Sequence, residues 1–453
     1  MTSSIASVRR TPPGPKGHFL VGILPEYSRS PIGFFTDCAR QYGDIVYLTG
    51  GINTYLLNHP DYIEETLVSQ QVHLVKSQIN KLLKPILGNG LLLSEGDFWK
   101  QQRRLIQPAF HRDRIASYTE VMVNYTEQLL STWQAGEIRD VHHDMMQLTL
   151  AIVIKTFFDS QLQDEVAMVD RSTKIFLDHF DRRSTNLLWF LLPDAVPIPA
   201  NLRFRQAIHQ LDQMVYRLIQ DRRHSQQNTG DLLSMLLHLQ AEDGTCMSDR
   251  QVRDEVMTFI LAGHETTAVA LSWAWFLLAT HPHVEEKLQA ELQAVLAGRS
   301  PTWADLPKLR YTEWIILEAM RLYPPVWALA RTVASDCEIA GYSVKAGSDV
   351  VASQWVVQRD PRWFPEPEAF NPDRWANDLA KRLPPYTYFP FGGGSRICIG
   401  KAFAMMEASL ILATIAQRYQ MTLVEPEAIE PRASVSLRPK QGVKVRLIDL
   451  GSI

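Results

Sequence analysis

The sequence predicts a mainly α-helical fold with small β-sheets, organised as a single large domain. Long stretches with helical periodicity dominate the 453 residues. Short β-like stretches stand at 44–48, 54–57, 337–351 and 434–447, each bounded by Gly, Asn or Pro. No Gly/Ser linker, charge block or internal repeat cuts the chain. With 46% hydrophobic and 21% charged residues it has the composition to bury a large core.

Taken from the start, residues 1–11 read as a flexible N-terminus ahead of the proline-rich hinge Pro12-Pro13-Gly14-Pro15, and 12–453 as the domain. The first ten residues carry no apolar signal core, and no segment approaches the roughly 20 apolar residues of a membrane span, so no transmembrane anchor is expected. Cys38, Cys246, Cys337 and Cys398 lie far apart with no C-x-x-C, as suits a reducing cytoplasm. A net charge of -3 with dispersed basic residues gives no reason to expect nucleic acid as a partner.

The most legible element is a helix from about 248 to 280. Ser248-Asp249-Arg250-Gln251 has the S-x-x-Q form of a capping box, and the pattern stops where His281 meets Pro282. At about 1.5 Å per residue it is nearly 50 Å long. Residues 268–279 are apolar almost all round, so this half is buried. Pro282 opens another helix, ending near Gly298. Within the long helix, Ala262-Gly263-His264-Glu265-Thr266-Thr267 combines a glycine and two β-branched residues where packing most wants good helix formers. Such a segment can loosen the hydrogen-bond ladder or insert a π-bulge, leaving a groove for water or a diatomic ligand.

Near the C-terminus, Phe391-Gly392-Gly393-Gly394-Ser395-Arg396-Ile397-Cys398-Ile399-Gly400 places one cysteine in a glycine-built loop just before an apolar helical stretch. Glycines let backbone donors approach a thiolate closely, and a helix starting near Gly400 adds the positive end of its dipole. Nucleotide-binding readings fail on spacing. A phosphate loop needs Gly at Ser395 and Ser or Thr at Ala402, and a dinucleotide fingerprint from Gly392 needs Gly at Ile397. A metalloprotease H-E-x-x-H from His264 needs His at Ala268.

The loop resembles the haem-ligand segment F-x-x-G-x-R-x-C-x-G of the cytochrome P-450 superfamily, matched at Phe391, Gly394, Arg396, Cys398 and Gly400. Residues 262–267 resemble its oxygen-activation motif A-G-x-[DE]-T-[TS]. Glu318-Ala319-Met320-Arg321 resembles its E-x-x-R, with Arg374 in Phe370-Asn371-Pro372-Asp373-Arg374-Trp375 as the later partner. Trp99-Lys100-Gln101-Gln102-Arg103 resembles its W-x-x-x-R. The resemblance spans about 12–444 in the family's order.

It implies a P-450 fold with haem b between the long central helix and the cysteine loop, and Cys398 as the axial iron ligand. Glu265 and Thr266 would be the acid and alcohol that deliver protons to dioxygen, and Ala262, Phe391 and Gly400 would lie against the cofactor. Trp99, Arg103, Arg331 and Arg396 would hold the propionates, and Glu318, Arg321 and Arg374 would form a structural charge network. The implied reaction inserts one oxygen atom of dioxygen into a lipophilic substrate. Its electrons come ultimately from NAD(P)H, through a ferredoxin or flavodoxin and its reductase, since no flavin or iron-sulfur segment is present. Lys100, Arg104, Arg112, Arg114 and Lys401 offer a basic docking face.

By family position, Leu261, Ala262, Trp327, Ala328, Leu329, Val435 and Ser436 would line the substrate pocket, which suits a fatty acid, alkane, retinoid or terpenoid, and the motif wording is most similar to the long-chain hydroxylase branch. The apolar run at 187–192 reads as a lid. A monomer is expected. A peroxide-driven enzyme or a haem sensor would not need the Glu265-Thr266 pair.

Overall fold

A computed structural model describes residues 11–18, 21–160, 163–225, 230–238, 246–425 and 429–451, so all but the last residue of the N-terminal segment lies outside the described chain. The chain forms two compact units, each assembled from separated segments: 1–81, 327–368 and 380–398 in one, and 82–326, 369–379 and 399–453 in the other.

The first unit holds helix α1 (Pro31–Tyr42), capped by Ser30, and most of the β-structure. Its five-stranded sheet uses β1 (Ile45–Leu48), β2 (Thr54–Leu57), β3 (Leu74–Lys76), β4 (Leu329–Val333) and β7 (Asp349–Ala352), in the order β1-β2-β7-β4-β3. β1 and β2 form a hairpin with Ile45 opposite Leu57, while β2 and β7 run parallel with Thr54 opposite Asp349. β5 (Cys337–Ile339) and β6 (Tyr342–Val344) make a separate hairpin. Ile45, Leu57, Ile63, Val333, Ile339, Val344, Val350 and Phe389 form the core of this unit. The expected strands are present. β3 and β4 escape a sequence reading because one is three residues long and the other carries Arg331 and Thr332 amid apolar neighbours, which blunts the alternation.

The second unit is helical. Its elements used below are α2 (Gly96–Ile106), α3 (Val141–Phe158), α4 (Gln163–Thr185), α5 (Leu187–Leu191), α6 (Pro199–Ser225), α7 (Asp249–Thr280), α8 (Pro282–Val295), α9 (Arg310–Leu322) and α10 (Lys401–Ala416). α7 is the predicted long helix, and its capping box forms: Gln251 N–H donates to Ser248 Oγ, and Ser248 N–H to Gln251 Oε1. α8 ends at Val295, short of Gly298, which takes φ +82°. α10 starts directly after its N-cap Gly400. A three-stranded sheet joins 138–140, 444–449 and 419–423, and β8 (Pro431–Ala433) with β9 (Leu437–Pro439) makes a hairpin.

α7 packs along α3, and Gly263 sets how closely. A Cβ there would stand 3.2 Å from Val153 Cγ2 and 3.7 Å from Phe157 Cε2, so even a methyl would require the Val153 side chain to give by a few tenths of an ångström. The helix keeps regular α geometry through 262–267 with no π-bulge. Hydroxyls serve the carbonyls here: Thr266 Oγ1 donates to Ala262 O at 2.9 Å, and Thr149 Oγ1 of α3 donates to His264 O at 3.1 Å.

Candidate active site

The middle of α7 is the feature its burial singles out. From Val252 to Leu278 nearly every residue is buried, yet Ala262 is exposed and Gly263 and Thr266 are half-buried. Positions 262 and 266 lie one turn apart, so they form a short open stripe carrying a methyl, a bare backbone and one hydroxyl. Leu261, beside it, is buried, as is His264, whose Nδ1 meets Ile260 O at 2.5 Å and whose pKa is lowered by burial. Glu265 is 5% exposed and accepts a hydrogen bond from Ser436 Oγ at 2.5 Å. Ser436 and Val435 stand in the turn between β8 and β9, with Val435 half-buried. Sequence reasoning found no link from Ser436 to Glu265, because 171 residues separate them.

The Cys398 loop belongs to the first unit and owes its shape to glycine. Gly392 and Gly394 take φ +71° and +61°. A Cβ on Gly394 would stand 2.2 Å from Leu67 O, and one on Gly393 2.1 Å from Tyr386 Cε1. Gly394 N–H donates to Tyr386 Oη at 3.0 Å, and Cys398 N–H to Phe391 O at 3.0 Å. Cys398 is an exposed thiol, and Phe391 and Arg396 beside it are half-buried. No group of three or more His, Cys, Asp or Glu side chains arranged to hold a metal ion occurs among the described residues, so the loop offers one sulfur rather than a polydentate cage.

The charge network on α9 forms in full, within the second unit. Glu318 and Arg321 have no exposure, and the guanidinium bridges both carboxylate oxygens, Nε to Oε2 at 2.9 Å and Nη2 to Oε1 at 2.8 Å. Arg374 Nε adds a bond to Oε1 at 2.8 Å. Two donors were not anticipated: Trp375 Nε1, 2.9 Å from Oε2, and Asn371 N–H, 3.1 Å from Oε1. Arg321 in turn donates to Ala369 O at 3.0 Å. Satisfying every lone pair of a buried carboxylate is the condition under which such a pair is tolerable.

Trp99 and Arg103 lie one turn apart on α2, both half-buried, and line an open groove with Lys100, Arg104, Gln107, Pro108 and His111. Arg331 lies on β4 and is half-buried. Trp327 is buried in the first unit against Phe35, with centroids 5.8 Å apart, and Ala328 and Leu329 beside it are half-buried. Of the five basic residues expected to dock a carrier, Arg114 donates to Gly230 O, Arg112 lies 5.7 Å over the Trp303 ring and Lys100 pairs with Asp97 at 2.9 Å.

Two further features lie in the same unit as the open stripe. The stretch 84–91 is tied to the first turns of α7: Arg253 Nη1 donates to Ile86 O at 2.8 Å, and Asn89 N–H and Leu91 N–H donate to Asp254 Oδ2 and Glu255 Oε2 at 2.8 and 3.0 Å. Burial, then proximity to Asp254, pushes the Glu255 pKa up to about 8. All but the last residue of the apolar run at 187–192 forms α5, with Leu188 80% and Leu191 67% exposed, capped by Asn186 and pinned by Arg183 Nη2 to Phe190 O at 3.0 Å.

Residues 12–446 match the family model described as Cytochrome P450. The chain belongs to the cytochrome P450 family. It is 40% identical to cyclooctatin synthase of Streptomyces melanosporofaciens, over 93% of this chain and 92% of that one. It is 36% identical to cyclooctat-9-en-7-ol 5-monooxygenase of the same organism, over 89% and 87%. Against pentalenene oxygenase of Streptomyces avermitilis the identity is 33%, over 94% and 95%. As a P450 it is a haem-thiolate monooxygenase that uses haem b, dioxygen and electrons from NAD(P)H delivered through a partner. The residues fit the cofactor: an exposed thiol on a glycine loop, a sterically open stripe on a buried helix, and an arginine-tryptophan pair on one helix face. Among the described residues no helix is long and apolar enough to cross a membrane.

Proposed function

We propose that this P450 hydroxylates a cyclic terpenoid, with electrons from a ferredoxin or flavodoxin and its reductase. The observation that carries the reading is the Ala262–Thr266 stripe, an apolar surface with a single hydroxyl, which suits a substrate with few polar groups of its own. The names cyclooctatin synthase, cyclooctat-9-en-7-ol 5-monooxygenase and pentalenene oxygenase favour a cyclic terpenoid over a fatty acid, alkane or retinoid.

When bound, haem supplies an iron that activates dioxygen for insertion into a carbon–hydrogen bond, and a thiolate ligand favours cleavage of the O–O bond. Cys398 Sγ would be the ligand, carried on a loop whose glycines let backbone donors approach a thiolate. Thr266 holds a proton at Oγ1, and Glu265 supplies protons from the interior through its carboxylate. By the family resemblance, Trp99, Arg103, Arg331 and Arg396 would bind the propionates, for which the planar fork of arginine is suited, and Phe391, Gly400 and Ala262 would contact the cofactor. Leu261, Ala262 and Val435 exclude water from the reacting carbon. By family position, Trp327, Ala328, Leu329 and Ser436 would also line the pocket. Glu318, Arg321 and Arg374 hold the fold.

Spectral titration of the ferric holoenzyme tests the substrate class. Cyclic diterpene and sesquiterpene hydrocarbons are expected to displace the water ligand and give the high-spin shift at micromolar concentration. A stronger response to linear fatty acids or retinoids would overturn the terpenoid assignment.

A further inference from the structure

The turn Ser434-Val435-Ser436 contacts two buried carboxylates on two different helices. It is anchored at its far end, where Leu437 N–H donates to Pro325 O at 2.9 Å and Trp273 Nε1 of α7 donates to Leu437 O at 2.7 Å. It is closed on itself by Ser434 N–H to Ser436 O at 3.1 Å. From this frame Ser436 Oγ reaches Glu265 on α7 at 2.5 Å, and Ser434 Oγ donates to Asp181 on α4. Asp181 also takes Arg432 Nη2 at 2.6 Å, with Arg438 Nη2 at 3.7 Å. Ser436 is 2% exposed, Glu265 5% and Asp181 8%, so the two hydroxyl–carboxylate bonds are shielded from bulk water.

A glutamate side chain has three rotatable bonds, and on a helix flank it can swing several ångströms. Proton delivery needs its oxygen held within hydrogen-bond reach of one place. A short bond from a hydroxyl on a clamped turn restricts that swing in a way that packing of methylenes does not. We propose that Ser436 is the positioning residue of Glu265, and that the turn makes the place of that carboxylate depend on the grip of Asp181 on Ser434. The proposal rests on the reading of Glu265 as the proton-supplying acid. It adds that α4, which leads into the exposed apolar α5, is mechanically linked to that acid by two hydroxyls on one turn.

The test is the partition of electrons between product and hydrogen peroxide in the reconstituted holoenzyme, normalised to haem content. S436A is expected to raise the ratio of peroxide to product about tenfold and to enlarge the solvent deuterium isotope effect on kcat, with KM little changed. S436T, which keeps the hydroxyl, restores coupling. D181N shifts the ratio in the same direction by a smaller factor, and the S436A/E265Q double variant is no worse than E265Q alone. S436C and D181N are measured beside S436A, so a variant that fails to load haem does not remove the test. Wild-type coupling and isotope effect in S436A would overturn the positioning role. If E265Q is uncoupled while S436A is not, that role alone falls. If E265Q itself stays coupled, the assignment of the acid falls with it.

Discussion

At Gly392 and Gly394 the backbone adopts angles that side-chain-bearing residues rarely tolerate, and at Gly393 and Gly394 an added Cβ would collide with Tyr386 or with Leu67 O. These restraints set where Cys398 stands. C398H is expected to abolish the red-shifted carbon monoxide band of the ferrous protein, and an unchanged band would remove Cys398 as the ligand. The cysteine and its glycines were legible in the sequence because their spacing alone excluded nucleotide loops. Thr266 was legible as a chemical candidate but not in its geometry. Its hydroxyl turns back to Ala262 O, a bond that depends on a side-chain rotamer no spacing encodes.

Among elements, α9 shows how a weak local signal becomes decisive in three dimensions. Opposite charges three apart on a helix surface contribute only a few tenths of a kcal/mol, yet here both are fully buried and joined by Arg374 and Trp375. Removing the carboxylate takes the counter-charge from the fully buried Arg321 guanidinium and from the half-buried Arg374, a cost of about 3–5 kcal/mol. E318A is expected to give little haem-loaded protein and a lowered unfolding midpoint, with E318Q intermediate; normal haem content in E318A would contradict the structural role. For α7, the capping box and proline stop fixed the ends from sequence. Of the two ways 262–267 could depart from a regular helix, the π-bulge is not present: the segment stays α-helical, with Gly263 against α3 and the Thr266 and Thr149 hydroxyls bonded to the Ala262 and His264 carbonyls.

Across the whole molecule, several buried carboxyl groups have their pKa values raised by desolvation: Asp181, Glu255, Glu285, Asp349 and, well above the ordinary range, Glu407. A carboxyl with a raised folded-state pKa binds its proton more tightly folded than unfolded. Its contribution is complete below the unfolded value and is lost as pH rises to the folded one. For Glu255 that window runs from 4.5 to about 8. The unfolding midpoint of the wild type is expected to fall across this window, and E255Q, whose amide oxygen still accepts from Leu91 N–H, to flatten the fall by a part worth a few kcal/mol. An identical slope in both proteins would show that Glu255 is ionised in the folded state.

The sequence by itself determined the helical class, the limits of α7, the cysteine loop and the residue types that mark a haem-thiolate enzyme. These are local properties, written in caps, prolines, glycines and fixed spacings over a few residues. Tertiary structure alone decided that Ala262, Gly263 and Thr266 form the open stripe of a buried helix, that Ser436 holds Glu265, and that Trp375 and Asn371 complete the shell around Glu318. It also decided that Asp254 and Glu255 fasten the stretch at 89–91. Each of these joins residues distant in the chain, and burial and hydrogen bonding depend on which surfaces meet, which local pattern does not specify.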